Sequence, residues 1–186
     1  MTQYIAIIIF KSAWGLLIFI ALVAQILFAD KSRIKAGLIT NLLVIIPFVF
    51  VLGLFYLERY FGSVYMSTTV IRIAGAALVG LGTVGYILSH FYLRSNWSLF
   101  ASIKEGQKLI TNGPYRLVRH PMYSSMTVIV LGSGLLISNS LILLFTPVVI
   151  IVYYIRSKKE ETLLRAEFPE YNEYSRKTKM LIPGII

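Results

Sequence analysis

Apolar residues gather into five blocks along the chain, 4–28, 38–57, 69–93, 121–137 and 141–155, and polar residues fill the stretches between them. Of 18 basic and 8 acidic residues, the blocks hold only Lys11 and Arg72. A helix rises about 1.5 Å per residue and needs about 20 residues to cross a hydrocarbon layer of about 30 Å. The first three blocks are long enough. Blocks four and five are shorter and are joined only by Ser138-Asn139-Ser140, which predicts a helical hairpin that spans thinly or re-enters. The fifth helix is expected to run beyond its apolar block to about Glu167, because helix formers continue to Phe168-Pro169. A second short helix is expected from Glu170 to Lys177.

Composition supports a membrane chain: 57% of residues are apolar, 14% are charged, and there is no cysteine. Disulfides, thiolate metal sites and a cysteine nucleophile are excluded. The start Met1-Thr2-Gln3-Tyr4 has no basic n-region or cleavage site, so no signal peptide is expected. A net charge of +10 could suggest nucleic acid, but its distribution argues otherwise. Lys31, Arg33 and Lys35 lie in 29–37; Arg94, Lys104, Lys108, Arg116 and Arg119 lie in 94–120; seven more lie in 156–186. The alternate connectors hold only Arg59. The positive-inside rule then puts the N-terminus outside and the C-terminus inside, with five spans in a single membrane domain, 1–186. Anionic headgroups, not nucleic acid, account for the charge.

Aqueous chemistry must therefore be built from the 94–120 connector and the 156–186 tail, which flank the hairpin. Residues 98–110 read as a β-hairpin or extended excursion turning at Glu105-Gly106. Thr111-Asn112-Gly113-Pro114 reads as a turn, and Pro121 pushes His120 towards extended geometry at the start of the next helix.

Several signals have plain structural explanations. Gly80-Leu-Gly-Thr-Val-Gly85 matches a dinucleotide fingerprint, which needs a βαβ unit; mid-span, with Ala76, it is expected to be a small-residue face for close helix approach. Asn96-Trp97-Ser98 matches a glycosylation acceptor but falls on the expected cytoplasmic side. Lys11 and Arg72 are expected to snorkel from near the outer ends of their spans. His90 and His120 could in principle ligate a haem, but nothing else in the sequence asks for one, and no metal site is expected.

The informative constellation is Gly113-Pro-Tyr-Arg-Leu-Val-Arg-His-Pro-Met-Tyr123, answered beyond the hairpin by Arg156 and Glu160-Glu161. Singly, these residues suit an interfacial belt, with tail acids paired to nearby lysines. Together they place donors, an imidazole, aromatic faces and two carboxylates at the open ends of one hairpin. Arg156 and Glu160 are four apart and share a helix face. Such a pocket suits a ligand that carries both charges.

Tyr115, Arg119-His120-Pro121-x-Tyr123 and the later Glu160-Glu161 resemble the isoprenylcysteine carboxyl methyltransferase family in its small prokaryotic form. The resemblance covers roughly 90–186, including Arg94-Ser-Asn-Trp-Ser98 and the closing Glu-Tyr-x-x-Tyr and Leu-Ile-Pro-Gly elements between Glu170 and Gly184; the first two spans resemble the family only in hydropathy. It implies an all-α integral membrane protein of five transmembrane helices, with a cytoplasmic cofactor pocket formed by the 94–120 connector and the C-terminal tail. It also implies that Gln107, Lys108, Leu109, Ile110, Tyr115, His120, Pro121, Met122, Tyr123 and Glu160 or Glu161 surround S-adenosylmethionine. Arg156 would face a substrate carboxylate, which makes Arg156 and Glu160 the expected catalytic pair. The expected partner is a prenylated cysteine peptide or protein C-terminus entering from the bilayer, and the oligomeric state stays open. Rival readings are a phosphatidylethanolamine N-methyltransferase, which needs a base such as His120 or Glu161, a sterol reductase using NADPH, and a non-catalytic scaffold or transporter.

Overall fold

The computed structural model describes residues 2–28, 49–57, 60, 68–93, 106 and 108–185, with side chains 5–18 in the first helix. The expected basic segment 29–37, most of the second span, and residues 94–105 and 107, which include most of the expected 98–110 excursion, lie outside the described residues. The helices are α1 (Thr2–Phe28), α2 (49–57), α3 (Thr69–Leu93), α4 (Pro121–Ile137), α5 (Ser140–Glu167) and α6 (Tyr171–Lys177), with a 3-10 turn at Gly113–Arg116. The expected limits of α3 to α6 agree with these bounds to within a residue.

Helical spacing selects each buried face. On α3 the buried residues are Gly75, Val79, Gly82, Tyr86 and Ser89, alternating four and three apart, which is the stripe a helix of 3.6 residues per turn presents to a neighbour. That stripe packs chiefly against α4. A Cβ on Gly75 would sit 2.5 Å from the Leu136 backbone nitrogen, and one on Gly82 would sit 2.9 Å from the Ser125 carbonyl. Gly132 of α4 answers: a Cβ there would sit 2.9 Å from the Gly75 carbonyl. The expected small-residue face therefore exists, but Gly80 looks into open space, and Gly75 takes the place assigned to it.

The core continues from this seam into α1 and α2 through Phe10, Trp14, Leu17, Val51 and Leu54. Trp14 Nε1 donates to Ser133 Oγ at 3.0 Å, so a buried indole on α1 and a buried hydroxyl on α4 satisfy one another. The hairpin turn is tight. Ser138 takes a left-handed conformation (φ 57°), and the Asn139 side chain accepts from Ile142 N at 2.8 Å, capping α5.

Elsewhere the apolar surface faces outwards. Val70, Ile73, Leu81, Val84, Leu88 and Phe91 of α3 are exposed, as are Leu144, Val148, Ile151, Val152 and Ile155 of α5. Those two helices are long and apolar enough to cross a bilayer, while α4 is shorter. Apolar faces of this extent require lipid around them, and the chain is an integral membrane protein. Lys11 is exposed on the flank of α1, in keeping with snorkelling.

Candidate functional site

The 3-10 turn begins at Gly113, whose φ is +58° and where an added Cβ would lie 2.5 Å from the Tyr92 ring. A side chain there would be strained and would collide with α3. The turn buries Tyr115, whose hydroxyl donates to the Ser89 carbonyl at 3.4 Å, while the Tyr174 hydroxyl donates to the Tyr115 carbonyl at 2.5 Å. The connector is thus gripped by α3 on one side and by α6 on the other. His120 follows with φ −123° and ψ 62°, clear of the α region that a following proline disfavours but short of the extended geometry expected, and Pro121 starts α4.

α5 extends beyond its apolar part, 141–155, and carries Arg156, Glu160 and Glu161 out to meet His120. The two glutamates are adjacent, so they point about 100° apart around the helix, and they reach opposite nitrogens of one imidazole. His120 Nδ1 is 3.4 Å from Glu160 Oε2, and His120 Nε2 is 3.7 Å from Glu161 Oε1. Burial alone would lower the His120 pKa, but the two carboxylates outweigh it and the net direction is up. Burial likewise opposes both carboxylates; His120, Arg156 and Tyr123 hold Glu160 below the ordinary range, and His120 and Arg119 bring Glu161 down to about 2.

The two acids otherwise have different surroundings. Glu160 accepts from the Tyr123 hydroxyl at 2.5 Å and from Arg156 Nε at 3.3 Å, and its side chain remains 21% exposed. Glu161 is 5% exposed, accepts from Arg119 Nε at 2.6 Å and pairs with Arg165 Nη2 at 3.6 Å. Glu160 and Glu161 therefore pair with arginines and a histidine, while further along the tail Glu173 pairs with Lys177 as a simple interfacial belt would have it. Aromatic rings line the same mouth. Tyr123 lies nearly parallel to His120, with centroids 5.8 Å apart, and to Tyr153, with centroids 5.0 Å apart; the Arg156 guanidinium is 5.6 Å from the Tyr123 centroid.

Of the residues expected around a cofactor, the structure gathers His120, Tyr123 and Glu160 with Arg156, and sets Glu161 behind them. Pro121 is buried at the head of α4, and Met122 packs against the core cluster. Tyr115 is buried in the adjoining turn, Lys108 is exposed, and Leu109 and Ile110 are half-buried in irregular chain leading to it. Sequence reasoning missed Tyr153, although Tyr153, Arg156 and Glu160 follow the i, i+3, i+7 spacing of one helix face. It also missed that Arg119 is the partner of Glu161, for which no local spacing is a signal. Among the described residues, Ser157 Oγ and Tyr171 Oη are buried polar atoms with no hydrogen bond within 3.5 Å, and His120 Nε2 faces only the Glu161 carboxylate, 3.7 Å away.

Comparisons with known proteins place this geometry in context. A family described as phospholipid methyltransferase matches residues 70–170. The nickel-cobalt-cadmium resistance protein NccN of Alcaligenes xylosoxydans xylosoxydans is 31% identical over 114 residues, 59% of this chain and 52% of that protein. The cobalt-zinc-cadmium resistance protein CzcN of Cupriavidus metallidurans is 30% identical over 148 residues, 76% of this chain and 62% of that one. A probable protein-S-isoprenylcysteine O-methyltransferase of Oryza sativa subsp. indica is 38% identical over 84 residues, 44% of each chain. The solved structure of the eukaryotic intramembrane Ras methyltransferase ICMT (isoprenylcysteine carboxyl methyltransferase) superposes with a TM-score of 0.70 at 20% identity, covering 95% of this chain and 65% of that one. The fold is thus shared with that enzyme, and the chain spans between 44% and 62% of the length of these curated relatives.

Proposed function

The chain belongs to the phospholipid methyltransferase family, and from that premise we propose that it is a membrane-embedded S-adenosylmethionine-dependent methyltransferase that esterifies the α-carboxylate of a C-terminal isoprenylated cysteine. The observation that carries the choice of nucleophile is the imidazole held between two carboxylates. With its pKa raised, His120 is stabilised as imidazolium, and Glu161, held at about 2, is a very weak base. An amine acceptor would need a base to lose its proton. A carboxylate is already ionised at neutral pH and needs none.

The donor set fits the cofactor's charges. S-Adenosylmethionine supplies, when bound, a methyl group on a sulfonium centre, together with an ammonium and a carboxylate that must be recognised. Glu160, the more exposed glutamate, is our choice for the ammonium; His120, with nearby backbone N–H groups, is our choice for the carboxylate. Tyr123 fixes Glu160 through its hydroxyl and offers an aromatic environment. Pro121, Met122, Tyr115 and, as the family resemblance implies, Gln107, Lys108, Leu109 and Ile110 complete the proposed pocket. Arg156, which stands 3.3 Å from Glu160, would hold the substrate carboxylate by paired hydrogen bonds. Transfer forms a carbon–oxygen bond as the methyl–sulfur bond breaks, leaving an ester and a thioether, so two opposite charges are annihilated. The residues at the mouth serve by aligning the two reactants and excluding water.

A site at the membrane boundary suits an acceptor whose prenyl chain partitions into lipid at about 0.8 kcal/mol per CH₂. The proposal includes the arrangement of five spans in one membrane domain, with the N-terminus outside and the mouth of the hairpin cytoplasmic. Purified protein with methyl-labelled S-adenosylmethionine and a farnesylated or geranylgeranylated cysteine analogue should give a lipid-soluble product that releases methanol in alkali. The description of the matched family favours one second reading, N-methylation of phosphatidylethanolamine. An alkali-stable label in phospholipid would replace the first reading with that one.

A further inference from the structure

We propose that Arg119 and Glu161 are positioning residues, which clamp the C-terminal segment Thr178–Leu181 onto the turn carrying His120 and so set where His120 and Glu160 stand. The proposal rests on the methyltransferase reading of the same mouth, and it assigns Glu161 a task away from the cofactor.

Arg119 binds three acceptors on two different elements. Its Nε donates to Glu161 Oε1 on α5 at 2.6 Å, while Nη1 donates to the Ser175 carbonyl at 3.0 Å and to the Thr178 carbonyl. The last carbonyls of a helix lack intrahelical donors, and a guanidinium there both satisfies them and complements the helix dipole. Arg119 thereby closes the C-terminal end of α6. Backbone pairing extends the clamp: Val118 and Lys179 form a parallel bridge, Arg119 N donates to the Lys179 carbonyl at 2.8 Å, and His120 N donates to the Met180 carbonyl at 3.0 Å. Ser124 Oγ then donates to the Leu181 carbonyl at 2.5 Å. The tail is therefore stitched to the residues on both sides of His120.

Glu161 connects this clamp to the imidazole. Its Oε1 lies against both Arg119 Nε and His120 Nε2, and its Oε2 faces Arg165. With 5% of the side chain exposed against 21% for Glu160, Glu161 is committed to the interior contacts. Glu160 alone of the pair stands at the open mouth. A planar five-donor fork can hold a carboxylate and two carbonyls at fixed angles, which a lysine ammonium cannot.

The test uses full-length protein in lipid nanodiscs. Arg119→Gln and Glu161→Gln should each speed amide hydrogen exchange at residues 119, 120 and 178, whose N–H groups donate within the clamp, by roughly tenfold or more. In protein labelled with [15N]histidine, which contains two imidazoles, they should also move the His120 resonances, identified by His120→Asn. Each should lower kcat by roughly tenfold while the KM for S-adenosylmethionine changes by less than about threefold, whereas Glu160→Gln should raise that KM. The double variant should be no worse than the poorer single, because the pair acts as a unit. Arg119→Lys, which keeps the charge, should fold and retain part of the tail protection. Glu161→Gln raising the cofactor KM as Glu160→Gln does would overturn the proposal, as would unchanged exchange at 119, 120 and 178 in both glutamine variants. If the wild-type chain transfers no methyl group to any acceptor, the proposed function fails, and the exchange and imidazole measurements still decide the clamp.

Discussion

The two sides of α4 are built by opposite means. Against α3, side chains are removed: Gly75, Gly82 and Gly132 bring the backbones together until no Cβ would fit between them. Towards the mouth with α5, long side chains are added: Tyr123, Tyr153, Arg156 and Glu160 meet through rings and charge-assisted hydrogen bonds. Close backbone packing cannot relax around an added group, whereas a lattice of side chains can reorganise when a ligand exchanges for one of its members. The difference assigns rigidity to the seam and chemistry to the mouth.

Overfilling the seam should have the largest effect. Gly75→Leu or Gly82→Leu is expected to cost at least about 3 kcal/mol, enough to abolish a cooperative thermal transition in detergent. Gly80→Leu, facing open space, should melt like the parent; equal damage there would break the distinction. At the mouth, Glu160→Gln should reduce methyl transfer about 100-fold, or about 2.7 kcal/mol of barrier, with a much smaller change in melting temperature. A loss of stability matching the seam variants would make the mouth structural as well.

The pH dependence follows from Glu161, whose pKa is held at about 2 against an ordinary value of 4.5. A depressed carboxylate contributes stability that is present above its unfolded pKa and lost as pH falls through the folded one. Melting temperature should therefore drop between about pH 4.5 and 2, and Glu161→Gln should flatten that limb. His120, shifted the other way, loses its contribution as pH rises. A smaller effect is expected for Trp14→Phe, which removes the donor to Ser133 and should cost about 1 kcal/mol. Smallest of all is Glu173→Gln: its partner Lys177 is as exposed as it is, and melting and turnover should both be unchanged.

Much of this was legible in the chain. Apolar blocks ending at polar residues located α3 to α6 closely, because a helix that faces lipid must be apolar over a length set by the bilayer. Candidate chemistry was legible as residue types, with Arg156 and Glu160 placed together by helical spacing alone. What spacing could not show was the division between the two glutamates. Glu160 and Glu161 are neighbours with the same chemistry, and their difference lies in what stands opposite each after α6 and the tail have folded back. For the same reason Arg119 read as one cation of the basic connector, and Gly80 read as part of the packing face in place of Gly75.

The sequence by itself determined that this chain lives in a membrane, where its helices run, and which few polar residues lie beside the hairpin. Those properties depend on periodicity and transfer free energy, which are local or additive along the chain. Tertiary structure alone decided that one imidazole stands between two carboxylates, that Arg119 ties the tail to α5, and that Glu160 faces the open mouth while Glu161 is sealed behind it. Hydrogen bonds between residues 42 to 59 positions apart depend on direction and distance to a tenth of a nanometre, and only the packed chain sets those.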